Sequence, residues 1–182
     1  MIDYKKKFIL KKKLAFVVGG AGYIGSEIAF ALSSVDCKVV VLDTNPINKN
    51  KNKNNKIKSE FIDLSITNEI NFTLKKIVKN YGVPDIFINA SYPRTKDWKN
   101  NSFNKINLIS FEKNIKIHLN SYVWLSKLIA EIMKKNKTKG SIINLSSIYG
   151  LVAQDFEIYK NTLMKDNMTY SVIKGGINTY TK

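Results

Sequence analysis

Cysteine, histidine and arginine are almost missing from this chain. Among 182 residues there is one cysteine, Cys37, one histidine, His118, and one arginine, Arg94. A lone cysteine excludes a disulfide framework and a cysteine-based metal site, and a lone histidine argues against a His-ligated centre; no metal is expected. The formal net charge of +16 raises nucleic acid as a partner, because clustered cations release counterions from phosphate backbones. Readers of bases and phosphates lean on the planar guanidinium fork, whereas the excess here is lysine, accompanied by much asparagine and isoleucine. It reads as solvated charge on exposed faces, which speaks to solubility and not to fold, and no nucleic-acid partner is expected. No apolar run approaches the ~20 residues that cross a membrane, and residues 1–11 lack the apolar stretch of a signal peptide. The expectation is a cytoplasmic protein with no membrane partner.

What is present fits a globular chain: 44% hydrophobic and 11% aromatic residues over a length sufficient for one sizeable core. One domain, residues 1–182, is expected. An apolar run at 14–18 ends in glycine and gives way to helical spacing over 24–32. A second apolar run closes on Asp43 and, being hydrophobic without alternation, reads as a buried parallel strand. Residues 48–58 are almost only Lys and Asn, a solvated loop. Then follow a strand ending at 61–64, an amphipathic helix over 68–80, a strand over 85–89, and a long helix from an N-cap candidate, Ser110, to about Lys135. A fifth strand occupies 141–146, and a last helix begins near Thr169. Strands alternating with helices predict a doubly wound parallel α/β sheet in three α/β/α layers.

Three clusters carry chemistry. Tyr170 and Lys174 stand at i, i+4 and so share one helix face, a phenol beside an ammonium. A free tyrosine has a pKa near ~10, and an adjacent ammonium favours the phenolate, which makes the pair a proton-transfer device. Gly19, Gly20, Gly22 and Gly25 sit where the first strand turns into the first helix; glycines admit close approach of a pyrophosphate, and the helix N-terminus supplies amide donors. Asp43, ending the second strand, can accept both hydroxyls of an adenosine ribose and repels a 2′-phosphate, which favours NAD over NADP. The alternative for Asp43 is a turn or cap residue before Pro46.

With these clusters in this order, the chain resembles the short-chain dehydrogenase/reductase family. The resemblance is carried by the glycine turn Gly19 to Gly25, Asp63-Leu64, Asn89-Ala90-Ser91, Asn144-Leu145-Ser146-Ser147 and Tyr170 to Lys174. It implies a Rossmann-type domain in which Gly19, Gly22, Tyr23, Ile24 and Gly25 meet the pyrophosphate, Asp63 and Leu64 the adenine, and Asn89, Ala90 and Ser91 run beside the cofactor. It further implies Ser147, Tyr170 and Lys174 as the catalytic set. Ser147 would donate to the substrate oxygen where charge develops, Tyr170 would exchange the proton, and Lys174 would hold the nicotinamide ribose. The implied activity is hydride exchange between nicotinamide and a secondary alcohol or ketone.

Two departures stand out. Where the family places an asparagine in the long helix to hold a relay water, this chain has His118. Either His118 substitutes in the relay, or a backbone carbonyl holds the water unaided, or the relay is impaired. Residues 155–167 read as an insertion beside the substrate pocket. With Ser91, Tyr92, Pro93 and Arg94, and with Tyr149, it is similar to bacterial oxidoreductases of flagellin modification and surface-sugar synthesis. A sugar or nucleotide-sugar substrate is therefore expected, with Arg94 gripping an anionic group or, alternatively, making a surface ion pair. Family members run on past the Tyr-Lys helix by at least two strands, so the resemblance implies a fold incomplete at its C-terminus. It also implies a homodimer or homotetramer at full length. The rival enzyme class is an extended nucleotide-sugar epimerase or dehydratase, and the rival of another kind is an inactive cofactor-binding fragment.

Overall fold

The computed structural model describes residues 7–48, 50, 52, 56–162 and 164–182. They gather into two compact units. The first holds five strands: β1 (Leu14–Val18), β2 (Lys38–Asp43), β3 (Ile57–Phe61), β4 (Ile86–Asn89) and β5 (Ser141–Asn144). All neighbours pair parallel in the order β3-β2-β1-β4-β5. Helix α1 (Tyr23–Ser34) follows β1, and α2 (Ile70–Tyr81) precedes β4. Strand order and sense are those of a Rossmann-type doubly wound sheet, so the fold class expected from the alternation holds.

Ala15, Phe16, Val17 and Val18 are all fully buried. Successive strand residues point to opposite faces, so both faces of β1 are covered. On one face Ala15, Val17, Val39 and Val41 pack with Ala29, Ile28 and Leu32 of α1, and Cys37 and Ile57 complete that cluster. The outer strands are poorer: β3 exposes Lys58, Ser59 and Phe61 in part or whole, and Ile143 of β5 is 46% exposed. Strand three ends at Phe61, short of the expected 61–64, and the Ile62 N–H makes the last rung of its ladder, to the Asp43 carbonyl. Of the Lys/Asn stretch 48–58, residues 49, 51 and 53–55 lie outside the described residues. Asn52 is described, and its side-chain amide pairs with Ile57 as a strand neighbour would, at 2.8 Å to the carbonyl and 3.3 Å from the N–H.

The second unit contains α3 (Leu108–Asn114), one π turn (Ile115–Leu119), the start of α4 (Asn120–Lys135) and α5 (Met168–Thr181). Its core is Tyr122, Ile173 and Ile177, flanked by Trp98, Ile115 and Leu119. The cap of α3 is Asn107 and not the expected Ser110. The Asn107 Oδ1 accepts the Ser110 N–H at 2.9 Å, while the Ser110 hydroxyl is taken by the Asn101 amide at 2.9 Å. Ser110 is buried inside the helix because a tertiary partner satisfies it.

Candidate active site

In the first unit the β1–α1 turn is shaped by backbone crowding. Gly19 has φ +72°, and a Cβ there would lie 2.6 Å from the Ser91 Cα; at Gly25 it would lie 2.1 Å from the Gly19 carbonyl oxygen. Neither position admits a side chain. Gly22 caps α1 with no side-chain hydrogen bond, and the first-turn N–H groups have no intrahelical acceptor. Beside them Tyr23 is 98% exposed and Ile24 64% exposed. The turn is thus an open helix N-terminus with partial positive charge, the arrangement that takes a phosphate.

Asp43 closes this turn. One of its carboxylate oxygens accepts the Ala21 N–H at 3.0 Å; the other accepts the Asn45 N–H at 3.1 Å and the Thr44 hydroxyl at 3.3 Å. Both the ribose and the turn-residue readings therefore have a geometric basis, since each carboxylate oxygen can accept more than one donor. Asn89 is fully buried, and its Oδ1 accepts the Ser91 hydroxyl at 2.6 Å and the Ser91 N–H at 3.2 Å. That shapes the chain where Ala90 and Ser91 pass Gly19. Asp63 is half-buried in this unit; Leu64, in the other, is buried.

In the second unit a cavity of about 650 Å³ is lined by Ser147, Tyr149, Tyr170, Tyr92 and Trp98, with Gln154, Tyr159 and Asn167 from the segment read as an insertion and its edge. Ser147 opens a short 3₁₀ turn (Ile148–Gly150), its Oγ accepting the Tyr149 N–H at 3.3 Å. Asn167 caps α5 by accepting the Tyr170 N–H at 2.8 Å, so the residue that starts the helix also orients the phenol's backbone. Tyr92 meets Tyr170 edge-on at 5.8 Å. Lys174 is 3% exposed, and burial pulls its ammonium down from 10.5 to about 8. Its Nζ lies 5.7 Å from the Tyr170 ring centre and 5.0 Å from that of Tyr122.

His118 sits in the π turn, fully buried, and neither ring nitrogen has a hydrogen-bond partner among the described residues. Its ring is 5.2 Å from Tyr92 and 5.5 Å from Tyr122. Burial, aided by the Lys174 charge, lowers its pKa from 6.5 to about 3, so it is neutral at ordinary pH. The His118 carbonyl accepts the Ser121 hydroxyl at 2.8 Å. Arg94 does not line the cavity; its guanidinium lies over the Tyr92 ring at 5.3 Å. The cations at the cavity wall are Lys99, Lys105 and Lys165.

Sequence reasoning passed over Gln154, Trp98, Tyr122 and the buried Asn101 and Asn114 that Ser110 joins. Only Asn167 carried a local signal, a cap-forming residue just before a helical run. Gln154 accepts the Asn167 N–H at 2.8 Å and donates to its carbonyl at 3.3 Å, closing the base of a loop twelve positions long between them.

A parallel sheet with a glycine turn after its first strand, and a Tyr-Lys helix whose phenol shares a cavity with a serine, define a dinucleotide-dependent dehydrogenase class. The family model described as short chain dehydrogenase matches residues 13–162, and the chain belongs to that family, oxidoreductases acting with NAD(P). Among curated relatives it is 31% identical over 177 residues to post-translational flagellin modification protein A of Campylobacter coli, covering 93% of this chain and 69% of that one. It is 33% identical over 147 residues to a 3-oxoacyl-acyl-carrier-protein reductase of Buchnera aphidicola, covering 75% of this chain and 56% of that one. Among solved structures, a short chain dehydrogenase from Leptospira borgpetersenii with bound NAD+ superposes with TM-score 0.81 at 26% identity, over 100% of this chain and 67% of the other. The chain thus spans between 56% and 69% of the length of these relatives.

Proposed function

We propose that this chain is the cofactor-binding and proton-transferring part of an NAD-dependent oxidoreductase that interconverts a secondary alcohol and a ketone on a sugar-derived, anionic substrate. The observation that carries the reading is a buried ammonium, Lys174, one helical turn from Tyr170, whose phenol shares a cavity with Ser147. The glycine turn fits a pyrophosphate because its backbone is bare where a Cβ would collide. Bound nicotinamide supplies the hydride chemistry.

The chain's own residues do the rest. Gly19, Gly22 and Gly25 shape the phosphate cradle, Tyr23 and Ile24 border it, and Asp43 holds the adenosine ribose while bracing the turn. Asp63 and Leu64 flank the adenine, and Asn89, Ala90 and Ser91 line the cofactor's path. Tyr170 passes the proton to or from the substrate oxygen, Ser147 donates a hydrogen bond to it, and Lys174 orients the nicotinamide ribose. His118 serves the relay as a neutral hydrogen-bonding group, a role supported by its two unpartnered nitrogens. Tyr149 meets the substrate in the cavity. Lysines at the wall, and Arg94 over the ring of Tyr92, draw an anionic group, and the aromatic lining suits the apolar face of a sugar ring. The likeness to a flagellin modification protein supports the sugar reading.

The experiment is a fluorescence titration with NADH and NADPH on the wild type and Asp43→Ala. Saturable NADH binding that weakens in the variant is the expected result; soluble, folded protein that takes neither nucleotide overturns the reading.

A further inference from the structure

The geometry points to Tyr122 as a positioning residue that holds the Lys174 ammonium in place through the face of its ring. This rests on Lys174 being part of the working site.

Tyr122 is 1% exposed and lies in the first turn of α4, immediately after the π turn. Its ring centre is 5.0 Å from the Lys174 Nζ, nearer than the 5.7 Å to Tyr170, within the range of a cation–π contact. The ring cannot drift: Ile173 and Ile177 of α5 pack with it, and His118 stacks at 5.5 Å, tilted by 38°. Lys174 is fixed at its other end as well, because its backbone carbonyl accepts the Ser146 hydroxyl at 2.9 Å and faces Gly150 without room for a side chain there.

The ionisable groups of the elements around Lys174 are Lys116 and His118 in the π turn, Tyr122, Lys127, Glu131, Lys134 and Lys135 in α4, Tyr149 in the 3₁₀ turn, and Tyr170 and Tyr180 on its own helix. Burial strips the Lys174 ammonium of water, and an aromatic face offsets part of that cost. A ring quadrupole is also directional. It holds the charge above the ring centre, so Tyr122 fixes where the ammonium sits as well as its charge.

The test is the pH titration of the Lys174 Cε resonance in protein labelled with 13C-lysine, assigned by Lys174→Arg, in the wild type, Tyr122→Phe and Tyr122→Leu. Phe keeps the ring face, so its midpoint stays with the wild type, whereas the Leu midpoint falls by about one pH unit. Circular dichroism checks folding, and Tyr122→Met replaces the Leu variant if that does not fold. An unchanged midpoint in the aliphatic variant overturns the proposal. So does a Phe variant that falls as far as Leu, which would make the hydroxyl the holding group. NADH binding measured on the same samples keeps the two readings apart: a wild type that binds no nucleotide sinks the oxidoreductase assignment and leaves the lysine titration as it stands.

Discussion

The backbone N–H of Ala21 donates to the Asp43 carboxylate at 3.0 Å, tying the tip of β2 to the glycine turn after β1. One side chain therefore braces the turn and, in the proposed function, also receives a ribose. The two duties separate by substitution. Asp43→Asn keeps an acceptor for Ala21 and loses the charge, so it is expected to retain melting temperature to within a few degrees while discrimination against NADPH relaxes. Asp43→Ala loses both and costs on the order of 1 kcal/mol. Thermal melts and paired nucleotide titrations read the two effects.

Gly19 and Gly25 predict one sign and Gly175 the other. Alanine at Gly19 or Gly25 must push into backbone atoms, Ser91 Cα at 2.6 Å or Gly19 oxygen at 2.1 Å, and each is expected to cost more than ~2 kcal/mol. Gly175 lies inside α5 with ordinary φ, and its added Cβ would meet only the Gly150 oxygen, at 3.7 Å. Gly175→Ala is expected to stabilise by about 0.5–1 kcal/mol. Urea unfolding of the three variants is the check.

Gln154 closes its loop through both ends of one amide. In Gln154→Glu the acceptor for the Asn167 N–H survives, but the donor to the Asn167 carbonyl becomes an oxygen facing an oxygen. Hydrogen exchange between 155 and 162 is expected to speed up in Gln154→Glu and about equally or more in Gln154→Ala, with the sheet amides unchanged. Equal protection in all three proteins would remove the clamp.

Lys174 and His118 give a signed pH dependence. Both titrate lower when folded than unfolded, at about 8 against 10.5 and about 3 against 6.5. The unfolded chain therefore binds more protons in each window, and stability rises with pH there. From about pH 8 to 10.5 the Lys174 cost is relieved, on the order of 3 kcal/mol in all, and Lys174→Met should flatten that rise relative to the wild type. From pH 6.5 down toward 3 stability falls, and His118→Gln should flatten that fall. Melting temperatures across pH, taken as differences between variant and wild type, cancel the other lysines.

The glycine turn and the Tyr-Lys helix were legible because each is local. Gly19 through Gly25 and Tyr170 through Lys174 are fixed spacings on elements whose type the apolar pattern announces. The remaining features were not legible because they depend on partners far along the chain. Asn107 and Ser110 are both cap formers, and only the amide of Asn101 decides between them. Arg94 reads as an anion grip or a surface ion pair from its place after a strand, and nothing in the sequence signals that its guanidinium lies over the ring of Tyr92. Gln154 reaches Asn167 across thirteen positions with a side chain that imitates a peptide, and no composition rule reports that. The π turn has no signature at all, since Ile115 to Leu119 reads as ordinary helix.

That turn makes chain length, and not residue identity, the quantity held fixed between α3 and α4. A π turn is one residue wider than an α turn, so it acts as an insertion absorbed within a helix. Deleting one residue of Ile115–Leu119 would remove that insertion, so the helix could close up as plain α with α3 and α4 each keeping its face. The residues that change face are those inside the turn, and His118, packed against Tyr92 and Tyr122, is one of them.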